Sequence, residues 1–172
     1  MKKNLLVLTF LFIGLSISCQ PAVKIFAFEQ ENLPGTIPSG VKDENGNPQK
    51  KAAAKKNYFI YLSFKRTYKV APLQIFIKGK AFPIQANDIQ TTPVEYVSNT
   101  IPRSPEKMIL VPKTTNKVLE IKLGEVSMQD KKNSYIQKLS NKNDIVIAYL
   151  WNKKKYFTTL KKLKKLESKA NE

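Results

Sequence analysis

The feature that most constrains this chain is the alternation that begins at Tyr58. Tyr58, Ile60, Leu62 and Phe64 fall on one side of an extended backbone, while Phe59, Tyr61, Ser63 and Lys65 fall on the other. A helix would scatter these residues round its axis; a strand sorts them into two faces. After a polar connection the apolar positions resume at Leu73, Ile75 and Ile77, reverse at Lys78-Gly79-Lys80, and continue through Ala81 and Phe82. A single glycine between two such runs is the chemistry of a hairpin turn, because a phosphate-cradling loop needs more glycines and a helix behind it. Two successive strands and their turn therefore anchor a β-domain.

The same period recurs on both sides. Residues 23–28 read as a short first strand, residues 81–86 continue past the hairpin turn, and residues 92–98 form a further strand. Residues 101–105, Ile-Pro-Arg-Ser-Pro, predict a rigid surface connection, since each proline removes a donor and biases its predecessor toward extended geometry. Residues 107–112 and 117–126 read as a strand pair joined by Lys113-Thr114-Thr115-Asn116, with Leu119, Ile121 and Leu123 on a dry face and Val118, Glu120 and Lys122 on a wet one. Residues 127–143 lose the period and read as loop, with one helical turn around residues 135–139. Residues 144–151 are apolar on both faces, which predicts an interior strand, followed by a turn over residues 152–155 and a return over residues 156–163. About eight short strands separated by turn signals predict an all-β fold, an antiparallel immunoglobulin-like β-sandwich, with a small β-barrel as the alternative.

The N-terminus carries different information. Lys2 and Lys3 precede an apolar run over residues 5–15 and then the small residues Ser16, Ser18 and Cys19. This is the layout of a secretory signal peptide over residues 1–18, too short in its apolar part for a comfortable membrane span. Ser16-Ile17-Ser18-Cys19 resembles a bacterial lipobox, in which the peptidase cuts before a cysteine that then becomes lipidated. Ser16 stands where that motif usually has Leu, and Leu15 comes one residue early. Cys19 is also the chain's one cysteine, so it has no disulfide partner within the chain and is the expected lipidation site. Cleavage by the ordinary signal peptidase after Ser18, or near Ala22 or Ala27, is the competing expectation. Residues 19–56 then read as the attachment cysteine and a flexible tether, being rich in breakers such as Pro34-Gly35 and Asn45-Gly46-Asn47-Pro48. The folded domain is expected over residues 57–166, with a polar tail over residues 167–172.

Composition narrows the chemistry. The chain contains no histidine, so Ser-His-Asp and Cys-His arrangements are excluded and zinc loses its commonest nitrogen ligand. A Ser-Lys pair works without histidine, but no spacing singles one out among this many lysines. An oxygen-rich stretch from Asp43 to Asn47 begins like a calcium loop and then fails as one, with Pro48 at the sharp-turn glycine position and Ala54 at the bidentate carboxylate position. No metal or cofactor motif is legible, and the expectation is a protein that is not an enzyme.

The formal charge is +17, and only Arg66 and Arg103 among the basic residues are arginines. Sequence-reading nucleic-acid proteins rely on the arginine fork, so no specific nucleic-acid partner is expected. Two lysine clusters are candidate anion-binding sites: Lys153, Lys154 and Lys155 at the last hairpin, and Lys161, Lys162, Lys164 and Lys165 in the stretch from Leu160 to Leu166. Leucines spaced by three there would line one side of a basic amphipathic helix suited to an anionic surface; a solvated strand end is the plainer reading. Trp151 and Tyr156 flank the hairpin turn and are a candidate aromatic platform for a sugar or base, or else a cross-strand packing pair.

In its signal, spacer and strand pattern the chain resembles the small exported proteins and lipoproteins of Bacteroidetes-type bacteria. That resemblance implies an exported protein, periplasmic or associated with the outer membrane, and implies no site residues. The expected partners are the membrane, through the lipid anchor, and either an envelope protein or an anionic glycan or lipid. If Cys19 carries the lipid, Cys19→Ala releases the protein from the membrane fraction and removes the acyl and glyceride mass from it; unchanged fractionation and mass would refute lipidation.

Overall fold

The structure, a computed structural model, describes residues 20–34, 54–98, 106–125 and 134–170. The alternation at Tyr58 resolves into β2 (Lys55–Phe64), whose Ile60, Leu62 and Phe64 are almost fully buried on one face. It pairs antiparallel with β1 (Lys24–Leu33) in a continuous register from Lys24↔Ser63 to Asn32↔Lys55. The hairpin expected at Lys78-Gly79 joins β3 (Ala71–Ile77) to β4 (Lys80–Ile89). Both turn residues have positive φ, 48° at Lys78 and 80° at Gly79, which is the backbone of a two-residue turn that matches strand twist. A second such turn, at Asn152 and Lys153, joins β8 (Ile145–Trp151) to β9 (Lys154–Leu160).

The remaining elements are β5 (Val94–Ser98), β6 (Glu106–Val111), β7 (Lys117–Leu123), α1 (Ser134–Ser140), β10 (Lys164–Lys165) and β11 (Lys169–Ala170). One sheet runs in the order β10-β1-β2-β7-β4-β3-β8-β9, with β11 also pairing β1, and β5 and β6 form a small second sheet. The large sheet curls on itself. Ile25 and Ala27 of β1, Ile60 and Leu62 of β2, Ile121 of β7 and Ile147 of β8 share a single interior cluster, although β1 and β8 lie far apart in the strand order. At the seam, Thr158 Oγ1 of β9 donates to Val23 O at 3.2 Å, and Gln20 Nε2 donates to Phe157 O at 3.0 Å. The all-β architecture expected from the alternation is therefore the one present, lying between sandwich and barrel: opposite walls of one curled sheet face each other across the core.

Two outer patches explain residues that alternation alone places in water. The β5–β6 sheet covers Phe28, Tyr61 and Val118, packing Leu110 and Val111 against them. Helix α1, where one helical turn was expected, drops Ile136 onto Phe76 and Val146. Val118 is consequently buried on what should be the wet face of β7.

Two expectations need correction, and the structure decides two further points. Residues 19–56 are not a tether ahead of the domain, and the first strand does not stop at residue 28: β1 belongs to the large sheet and continues to Leu33 because its polar residues find partners, Glu29 with Lys78 and Gln30 with Tyr96 and the carbonyl of Glu167. β6 and β7 are not a pair; β6 pairs with β5, while β7 lies between β2 and β4. Residues 160–166 form no helix. In an extended chain residues three apart point to opposite faces, and Leu163 enters the interior cluster while Leu166 enters the outer one. The tail is not free either, since Lys169 and Ala170 pair with Asn32 and Leu33. Cys19 and the stretch from Asp43 to Asn47 lie outside the described residues.

The Asn-Lys turn gives a direct check. Lys153 holds φ 62°, a conformation that glycine adopts without the Cβ penalty. Lys153→Gly is expected to stabilise the fold by about 1 kcal/mol, read as a rise in the urea midpoint at unchanged m.

Candidate functional site

The curled sheet has two chemically different ends. At one, Glu29 follows Ile25 and Ala27 on the inward-facing side of β1 and is only 8% exposed. Its cross-strand neighbour is Tyr58, and its Oε2 accepts a 2.8 Å hydrogen bond from Lys78 Nζ. Lys78 sits on the β3–β4 turn, so this ion pair spans the mouth from one wall to the opposite one. Further hydrogen bonds tie the same region together: Lys78 N donates to Asp144 O at 2.8 Å, Leu163 N to the Asp144 carboxylate Oδ2 at 2.9 Å, and Leu166 N to Glu29 O at 2.9 Å. The hydrogen bond to Glu29 raises the Lys78 pKa above the ordinary lysine value. Burial raises the Tyr58 phenol, with Lys78 opposing and Glu29 reinforcing the shift.

The second lysine cluster belongs to this end. Lys161, Lys162, Lys164 and Lys165 are all exposed there, and the backbone of Lys165 lies beside that of Glu29. Lys164 Nζ stands 5.8 Å from the centroid of the Phe28 ring. The first cluster lies elsewhere. Lys153 is in the far turn and Lys154 and Lys155 open β9, so the length of that strand separates the two clusters by roughly 20 Å. The structure does not bring them into one patch.

At the far end the aromatic residues close the interior. Trp151 stands between Tyr68, at 5.6 Å and nearly edge-on, and Tyr156, at 5.9 Å and tilted. Tyr156 in turn stacks on the fully buried Tyr149, whose hydroxyl accepts from Gln20. Trp151 and Tyr156 thus do lie together, each half-buried and engaged with other rings.

One feature of the lysine-rich end was not legible in advance. The β2–β7 ladder covers only Tyr61↔Glu120 to Phe64↔Lys117, although both strands run on past it. Beyond Tyr61 the two strands diverge and leave a wedge of about 350 Å³, bordered by Lys56, Tyr58 and Ile60 on one strand and Ile121, Lys122 and Leu123 on the other. Alternation predicts both strands correctly, but only the register reveals where their pairing ends. Among the described residues no cluster of three or more acidic, Cys or His side chains is placed to hold a metal. Comparison with protein-family models, curated proteins and solved structures finds no match.

The Glu29–Lys78 pair carries a signed pH dependence. A folded-state pKa raised above the ordinary 10.5 means that the stability due to Lys78 is fully present below that value and is lost as pH climbs through the higher folded one. Tyr58, Tyr61 and Tyr149, raised from 10.0 chiefly by burial, act in the same direction. Lys78→Met should cost about 1 to 2 kcal/mol at neutral pH, below the cost for a fully buried pair because the Lys78 side chain is 44% exposed. Urea midpoints measured across the alkaline range should show a shallower decline in the variant, with the tyrosine part retained.

Proposed function

We propose that this chain is a non-enzymatic binding protein of the bacterial envelope, of the kind found among the small exported lipoproteins of Bacteroidetes-type bacteria. In this reading its N-terminal signal directs export and a lipid on Cys19 holds it in the periplasm or at the outer membrane, with residues 20–23 leading from the anchor directly into β1. The observation that carries the binding role is the division of the curled sheet. Its interior is filled with aliphatic side chains and closed by the Glu29–Lys78 pair at one mouth and by Tyr68, Trp151 and Tyr156 at the other. Recognition therefore falls to the outer surface, and the lysine-rich end supplies both charge and an incompletely paired strand edge.

An anionic glycan or lipid head group is the second reading, favoured by the gathering of Lys161, Lys162, Lys164 and Lys165 beside Lys56 and Lys78 at one end. Lys153, Lys154 and Lys155 would act separately, at the opposite end. The two readings separate by salt, because exposed charge alone is screened within about 10 Å at 0.1 M ionic strength.

The test is in-cell crosslinking followed by purification of tagged full-length protein from the envelope, washed at low and then at high salt. A discrete protein retained at high salt supports the binding-protein reading. Acidic polymer or lipid lost at high salt supports the second. Recovery of the chain in the cytoplasmic fraction, with no envelope component crosslinked, would refute both.

A further inference from the structure

We infer that the end of the curled sheet closed by Tyr68, Trp151 and Tyr156 is a membrane-docking face, seated on anionic phospholipid head groups. This inference rests on the reading of Cys19 as the lipid-bearing residue and adds which end of the domain faces the bilayer.

The chain ahead of β1 carries the first part of the inference. Val23 O accepts from Thr158 Oγ1 at 3.2 Å, and Gln20 Nε2 donates to Phe157 O at 3.0 Å and to the Tyr149 hydroxyl at 3.2 Å. From Val23 back to Gln20 the partners on β9 therefore step from Thr158 to Phe157, toward the Asn152-Lys153 turn. Pro21, between them, is buried. Gln20 is thus held against the aromatic end, and the residue before it is Cys19. Consecutive Cα atoms lie about 3.8 Å apart, so no spacer separates a lipid on Cys19 from this end. The opposite mouth, with Lys161 and Lys162, lies the length of β9 away.

Charge carries the second part. Four connections meet at the aromatic end, residues 65–70, 90–93, 112–116 and the turn at 152–153, as the strand ends Phe64↔Lys117, Ile89↔Val118 and Ala71↔Leu150 require. They are laced together. Arg66 Nε donates to Thr115 O at 2.8 Å, Thr114 N donates to Thr92 Oγ1 at 3.0 Å, and Tyr68 stands 5.6 Å from Trp151. These connections contain five basic residues, Lys65, Arg66, Lys69, Lys113 and Lys153, and no carboxylate. All five are exposed, and among the described residues none forms an ion pair. In the adjoining strands Asp88 and Glu95 are already engaged, by Lys117 at 3.0 Å and Lys107 at 3.5 Å. The opposite mouth, by contrast, mixes its lysines with Glu29, Glu31 and Asp144. Cations set round half-buried tyrosine and tryptophan rings suit the head-group zone, where the cations meet phosphate and the rings sit at the edge of the acyl chains. Attachment at Cys19 selects the lipid surface over a soluble polyanion, because it holds this end at the bilayer.

Trp151 is the chain's one tryptophan, so its fluorescence reports on this end directly. The exported protein, purified from membranes in detergent, is reconstituted on vesicles of phosphatidylglycerol and phosphatidylcholine in equal parts, the phosphatidylcholine brominated on acyl carbons near the head group. Flotation of the vesicles reads the anchor, and bromine quenching of Trp151 reads the docked face. Expected are flotation and quenching together. Quenching should fall by about half or more on vesicles of phosphatidylcholine alone, at high salt, and for the Lys65→Glu/Lys113→Glu/Lys153→Glu variant, while flotation persists in all three.

Flotation without quenching of Trp151 would overturn the docked face and leave the anchor standing. Quenching that is equal on phosphatidylcholine alone and at high salt would overturn it too, since the lipid by itself then holds this end down. A protein that does not float refutes the anchor, and the docked face with it. In the envelope crosslinking experiment, a protein partner crosslinked through Lys153 or Lys154 keeps the binding function and removes the bilayer from this end.

Discussion

The curled sheet depends on β1 being paired along both of its edges. A long sheet has two terminal strands, each a row of unmatched peptide groups, and an unprotected row invites association with other chains. On one side β1 is matched by β2 from Lys24↔Ser63 to Asn32↔Lys55. On the other, β9 approaches its beginning through Thr158, and β10 and β11 run parallel along its second half. Strands of two residues hold little by themselves. They are fixed by Leu163 on the inside and Leu166 on the outside, each contributing roughly 1.5 to 3 kcal/mol of apolar burial, with the Leu166 N–H bonded to the Glu29 carbonyl.

From that closure follows the character of the two mouths. A curled sheet filled with isoleucine and leucine still has to end, and at each end the inward-facing positions meet water. At the far end large, half-buried rings cover the core. At the near end the inward-facing position on β1 is Glu29, a carboxylate that would be costly to bury alone. Lys78 reaches it only because the β3–β4 turn is tight and lies opposite, so hairpin geometry and ion pair support each other. The incomplete β2–β7 ladder lies beside this same mouth, next to Tyr58.

Local patterns were readable where local physics decides them. The strand at Tyr58 to Phe64, the turn at Lys78-Gly79 and the interior strand from Ile145 each follow from period two or from turn chemistry, and each is present. Where a distant partner decides, the residues alone mislead. Glu29 looks like the end of a strand until Lys78, 49 positions away, is known to neutralise it. Adjacent strands β6 and β7 invite pairing, yet each has a better partner elsewhere. Leucines spaced by three fit one side of a helix and equally the two sides of a strand, and only the free edge of β1 chooses between them. Lysine clusters close together in sequence can be far apart in space when a strand of seven residues stands between them.

The contact between β1 and the last strands also sets an order of assembly. β1 and β11 are the first and last of the described strands, so the seam joins distant parts of the chain and closes a loop that encloses the described strands between them. Contacts of such long sequence separation form late and slow folding. Until residues 163–170 arrive, β1 keeps one open edge and the interior lacks Leu163. A chain emerging from its N-terminus therefore lacks this seam until residues 163–170 are free, and that delay holds β1 back from its final place.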